Sequence, residues 1–198
     1  MATTNTYPAT PSIYKGRPIT EQTVGSIPST TGLFVEEFGG PYPARTTKVT
    51  FTSFPITITR TSSSVAGNSG ATQTGLFYTF PVGYIWLKGG VIDVTLSAVT
   101  MADTSGAVTG VGTTQNTGTP ASLATTEQSL IASATTAIAS SAGSRTAASP
   151  ATYIAPVDGR TTAAGLYFNF GTADDITASG TIYVTGYIKF SWENLGDT

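Results

Sequence analysis

Two pairs of neighbouring acids, Glu36-Glu37 and Asp174-Asp175, are the places where this chain could carry chemistry, and neither is built for it. Asp174 and Asp175, with Asp158 upstream, could offer hard oxygen ligands to calcium, but the alternating Asp-x-Asp-x-Asp spacing of a calcium loop is missing. Two acids in a Gly-Thr-Ala loop are accounted for by turn chemistry and solubility. Glu36 could be imagined as a glycosidase acid, yet adjacent residues of a strand point to opposite faces, and no second carboxylate can be placed across a bond from it. The chain also has no histidine and no cysteine. That removes Ser-His-Asp and Cys-His nucleophiles, thiolate redox chemistry and zinc sites built on nitrogen or sulfur. No catalytic, cofactor-binding or metal-binding residue is expected, and the expected class is a non-enzymatic protein.

Charge narrows the partners. Nine basic side chains stand against eleven acidic ones in 198 residues, and the basic ones are scattered. Nucleic-acid binding depends on neutralising phosphates along a basic stripe, so no nucleic-acid partner is expected. No run approaches the roughly 20 apolar residues of a membrane helix, and residues 1–11 lack the charged and apolar regions of a secretory signal, so no membrane partner is expected and the chain reads as soluble. The better hooks are aromatic. Tyr183 and Tyr187 lie opposite a core row, Tyr167 on the preceding strand is expected to do likewise, and Tyr84 and Trp86 share one face of theirs. Such rings could form a subunit interface, a second buried face or a sugar platform.

The elements that must hold these residues are strands. In 181–192, Ile182, Val184, Ile188, Phe190 and Trp192 share one face, and Thr181, Tyr183, Thr185, Tyr187, Lys189 and Ser191 take the other. Leu166, Phe168 and Phe170 make another apolar row, and the loop 171–180 is long enough to return the chain as an antiparallel partner. Val49 and Phe51 have one parity and Phe54, Ile56 and Ile58 the other, which predicts a bulge or bend near Ser53. Leu76, Tyr78, Phe80 and Val82 alternate. Gly89-Gly90 reads as a turn between a strand around Tyr84, Ile85, Trp86 and Leu87 and another that puts Ile92, Val94, Leu96 and Ala98 on one face. Residues 126–142 fit either a helix or two short strands, with strands favoured, and 140–149 reads as an exposed loop. About eight strands without alternating helices predict an all-β antiparallel sandwich of jelly-roll or Greek-key type over residues 46–198.

Residues 1–45 differ. Pro8, Pro11, Pro18, Pro28, Pro41 and Pro43 prevent a long helix or central strand, while apolar side chains recur among them. This predicts an extended N-terminal arm that lies on its own body or on a neighbour, with Tyr7, Ile13, Tyr14, Ile19, Val24 and Ile27 as its anchors. Ordering it costs about 1–2 kcal/mol per residue, so it is fixed only where burial offsets that cost.

Residues 165–176, GLYFNFGTADDI, and 179–197, SGTIYVTGYIKFSWENLGD, resemble the ending of virion structural proteins of tailed bacteriophages. Phe80-Pro81-Val82-Gly83 leading to Ile85, Leu87 and Gly89, and Gly112-Thr113-Thr114, are similar to further pieces of that pattern. The resemblance covers about half of the body and almost none of the first 45 residues, and it carries no catalytic residue. It implies a capsid decoration, or cement, protein on the outer surface of the virion, made in the host cytoplasm. Such a protein would bind the major capsid protein and copies of itself, as a homotrimer. The rival expectations are a carbohydrate-binding or host-adhesion module of a head fibre or tail, stacking sugars on Tyr84, Trp86, Tyr183 or Tyr187, and a minor capsid or tail component.

Overall fold

The computed structural model describes residues 12–14, 17–19, 25–28, 32–38, 44–58, 75–98, 107–116, 123–136, 143–148, 156–171 and 180–196. Period-2 alternation dominates these segments, and strands follow from it: β1 (Ser12–Tyr14), β2 (Arg17–Ile19), β3 (Leu33–Phe38), β4 (Ala44–Ile58), β5 (Leu76–Thr79), β6 (Gly83–Ala98), β7 (Ala107–Gly112), β8 (Ile131–Thr136), β9 (Gly143–Ala148), β10 (Val157–Gly159), β11 (Gly165–Gly171) and β12 (Gly180–Asn194). The only helical element among the described residues is one 3-10 turn, Thr125–Glu127. The molecule is all-β, as expected, with more strands than the eight anticipated.

A larger antiparallel sheet has the order β10-β6-β12-β4-β3, with β9 also pairing β6, and a smaller one has the order β5-β11-β7-β8. Their inner faces meet in one core. Ile182, Val184, Ile188, Phe190 and Trp192 of β12 are all buried, as their parity predicts, and they face Leu166, Phe168 and Phe170 of β11 and Tyr78 of β5. The layers interlock through edge-on rings, with Tyr78 at 5.2 Å from Phe190 and Phe51 at 5.4 Å from Phe77. Among the described residues, β1 and β2 pair only with each other.

Three of the four register shifts among the described strands correct or explain the expected rows. In β4, Val184 pairs with Phe54 and Gly186 with Phe51, so Thr52 and Ser53 together face Thr185. Ser53 takes a left-handed conformation, φ 51°, and its N–H donates to Thr185 Oγ1 at 3.2 Å. The extra residue turns both Val49/Phe51 and Phe54/Ile56 inward, as the parity slip foretold. In β6, Ser191 pairs with Gly89 and Trp192 with Leu87, leaving Lys88 as the extra residue. Gly89-Gly90 therefore lies beside a bulge at Lys88 within one long strand and is not the expected turn, and this is what lets Ile85/Leu87 and Ile92/Val94/Leu96 share one interior. In β5, Phe77 is the unpaired residue between Leu76 and Tyr78, and it is buried together with Tyr78. The simple row Leu76, Tyr78, Phe80, Val82 is thus corrected: Phe77 joins the core and Val82 is exposed.

Other expectations change as well. β11 and β12 do not form a closing hairpin; they lie in opposite sheets, because each carries an apolar row that needs the other layer to cover it. Within 140–149, expected as a loop, Gly143–Ala148 is a strand paired with β6. Up to Thr136, where its described part ends, the ambiguous stretch is the short 3-10 turn followed by β8. Residues 25–38, read as part of the arm, reach both sheets: Ser26 exchanges two backbone hydrogen bonds with Thr79 at 2.7 and 2.8 Å, and β3 forms the edge of the larger sheet. The close approach at Ser26 depends on Gly25, where a Cβ would collide with the Tyr78 hydroxyl.

Candidate functional site

Strand pleating sends alternate residues of β3, β4, β12 and β6 to the outer face of the larger sheet, and the register stacks them in rows. One row runs Phe34, Thr50, Tyr187, Asp93; the next runs Glu36, Lys48, Lys189, Val91; the third runs Phe38, Thr46, Ser191, Gly89. Phe34, Phe38 and Val91 are 61%, 50% and 40% exposed, so apolar groups stand in water on both sides of a charged row. Lys48 Nζ is 3.2 Å from Glu36 Oε2 and 5.5 Å from the Tyr187 ring centre, and Lys189 Nζ is 6.0 Å from that of Phe38. The Thr46 and Ser191 hydroxyls lie 3.0 Å apart. At the Phe38 end an open recess of about 270 Å³ is lined by Phe38, Ala44, Arg45, Thr46, Lys88, Ser191 and Trp192. This face combines exposed apolar groups with hydrogen-bonding and charged ones, the composition of a surface that can be covered by another protein.

All four interface aromatics expected from the sequence lie on this outer face, but they do not form one cluster. Tyr183 pairs with Ser97 while Trp86 pairs with Glu193, ten residues further along β12. At strand rise that is roughly 30 Å. Arg160 lies over the Tyr84 ring at 4.3 Å and donates to its hydroxyl at 3.3 Å. Lys88 lies over Trp86 at 4.8 Å and pairs with Glu193 at 2.5 Å. Both rings are thus engaged by a cation. Tyr167, expected beside Tyr183 and Tyr187, belongs to β11 and so to the other sheet.

On the inward side of β3, Glu37 builds a polar knot into the end of the core. The Tyr78 hydroxyl donates to Glu37 Oε1 at 2.6 Å, Arg45 donates to Oε2 at 3.1 Å, and the Trp192 indole N–H donates to Thr47 Oγ1 at 2.8 Å. Burial, reinforced by the Glu37 carboxylate, pushes the Tyr78 phenol far above its ordinary value, so it stays a donor. Glu36 and Glu37 do point to opposite faces and take different partners. A second polar knot lies beneath the 3-10 turn: Asn169 donates to Thr114 O and Glu127 O and accepts from Asn116 N. Every one of these contacts closes a loop or strand onto the body.

Asp158, the described member of the imagined calcium set, is taken by Arg160 at 2.9 Å, whose hydrogen bonds hold its carboxyl below the usual range. Asp174 and Asp175 lie outside the described residues. Among the described residues, no group of three His, Cys, Asp or Glu could hold a metal ion. Of the arm anchors, Tyr7 and Val24 lie outside the described residues, and Ile13, Tyr14 and Ile19 fall in the β1-β2 hairpin. Ile27 packs against the chain's own core. Phe34, Phe38 and Val91 were not singled out from the sequence, although the alternation Phe34-Val35-Glu36-Glu37-Phe38 carried the signal.

Among the described residues, no helix is long and apolar enough to cross a membrane. Comparison with known proteins gives no relative: no family model matches the chain, and neither a curated protein nor a solved structure matches it.

Proposed function

We propose that this chain is a non-enzymatic structural protein of a tailed-phage virion, a capsid decoration or cement protein that binds the assembled head shell and copies of itself. The resemblance of 165–176 and 179–197 to virion proteins suggests the setting. The observation that carries the reading is the outer face of the larger sheet, where Phe34, Phe38 and Val91 are exposed around the Glu36-Lys48-Lys189 row. Bringing such a face against another protein releases water from the apolar groups, at about 25 cal/mol per Å² buried, and the rim hydroxyls and charges set orientation. Repeated over a shell, many modest contacts resist its rupture. The rings best placed for the carbohydrate reading, Tyr84 and Trp86, already carry Arg160 and Lys88 on their π-systems, which weighs against sugar stacking there.

The test is cosedimentation of purified protein with phage heads that lack it. Saturable binding that is lost when Phe34, Phe38 and Val91 are all changed to Ser supports the reading. Absence of binding to heads by the folded wild-type protein contradicts it.

A further inference from the structure

Edge strands are normally protected against pairing with other chains by prolines, bulges, or charges left facing water. β3 lacks the first two of these defences, and its charges are paired within its own sheet and core. It carries no proline or lysine, and its register with β4 runs from Leu33 opposite Phe51 to Phe38 opposite Thr46 without a shift. Its two acids are occupied, Glu36 by Lys48 at 3.2 Å and Glu37 by Arg45 and Tyr78. Among the described residues no strand lies on its outer side.

The hydrogen-bond phase of that open side follows from one bond. Thr52 N–H donates to Gly32 O at 2.8 Å, so along the ladder Phe34, Glu36 and Phe38 turn their peptide groups toward β4. Leu33, Val35 and Glu37 turn theirs outward. We propose that β3 pairs antiparallel with β3 of a second copy about a two-fold axis at Glu36, joining the two larger sheets into one.

In that register Val35 and Glu37 of one copy exchange main-chain hydrogen bonds with Glu37 and Val35 of the other. Phe34 then stands opposite Phe38 of the second copy, twice, in the closely spaced non-hydrogen-bonded positions where aromatic side chains gain most from cross-strand contact. Two Phe side chains that are 61% and 50% exposed in the single chain are covered at once. The like-charged centre is also accommodated. Across the joined sheet the row would read Lys189, Lys48, Glu36, Glu36, Lys48, Lys189, so the two carboxylates lie between four cations. Moving the register by one step in either direction, to centre on Val35 or Glu37, puts a Phe opposite Glu36 and loses both aromatic pairs.

This inference names a surface for the self-association in the proposed function and to that extent rests on it. A two-fold contact makes pairs, so a trimer would need a different surface. Cross-linking of purified protein reads the edge contact and head cosedimentation reads the virion role, so either can fail alone.

The chain has no cysteine, which makes the test direct. A two-fold axis at residue 36 places that residue opposite itself, within the Cα separation a disulfide needs. Under mild oxidation, E36C should form covalent dimer at least about tenfold more readily than F34C, while a mixture of F34C and F38C should yield the mixed dimer. Sedimentation of the wild-type chain should show a dimer, and F34K/F38K, with unchanged far-UV circular dichroism, a monomer. A wild-type monomer at all concentrations, or cross-linking of F34C with itself as readily as E36C, overturns the proposal.

Discussion

Tyr78 ties the aromatic core to the polar knot at its end. It is fully buried, meets Phe80, Phe190 and Trp192 with its ring, and gives its hydroxyl proton to Glu37. Tyr78→Phe keeps the ring and removes a hydrogen bond to a charged group, so it should cost about 1–3 kcal/mol in urea unfolding. It should also change the alkaline limb of stability. The folded phenol's pKa is raised above its unfolded value, so its contribution is full below about pH 10 and is lost as pH rises beyond that. The Tyr78→Phe protein should lose stability less steeply than the wild type above that pH; parallel slopes would contradict the assignment. Gly25 makes a second residue-scale case. Gly25→Ala drives a Cβ into Tyr78 and Thr79 O, so hydrogen exchange at Ser26 and Thr79 should accelerate while the β12 core stays protected.

At the scale of elements the bulges govern. Deleting Ser53 restores simple alternation in β4 and must turn either Val49/Phe51 or Phe54/Ile56 to solvent, so the deletion should abolish cooperative thermal unfolding, whereas Ser53→Gly, which relieves the left-handed backbone, should stay within about 1 kcal/mol of wild type or gain stability. The β4 bulge was legible because two apolar rows of opposite parity abut in one segment. The β6 bulge was not, since Gly89-Gly90 has the chemistry of a turn and only the pairing partner β12 shows that the strand continues. Phe77 was hidden for the same reason: local alternation favours Tyr78 and Phe80, and the unpaired position is set by β11. β9 escaped notice because Ser, Arg, Thr and Ala carry no apolar row; it forms as a partner to β6.

For the whole molecule, composition and alternation identified an all-β sandwich, but not which strands share a sheet. Nothing within 165–192 says that β11 and β12 belong to different layers; long-range burial decides it. The same limit affected the arm. Proline spacing marked 1–45 as distinct, yet the Ser26 bridge and β3 bind 25–38 to the body, so those residues are not free to act as a detached arm. Removing residues 1–28 should lower the thermal midpoint more than removing 1–24 does, by exposing Tyr78 and the core beneath Ile27. Of the candidate site, the aromatics were readable as side-chain types; the exposed Phe34-Phe38 edge required knowing that, among the described residues, β3 pairs only with β4.

On the proposed function, a density map of native phage particles should show a two-layer β-sandwich on the outside of the head shell, with the Phe34, Phe38 and Val91 face of its larger sheet covered by a capsid subunit or by another copy of the chain. A particle whose shell carries no such density, or a sandwich attached with that face fully open to solvent, would contradict it.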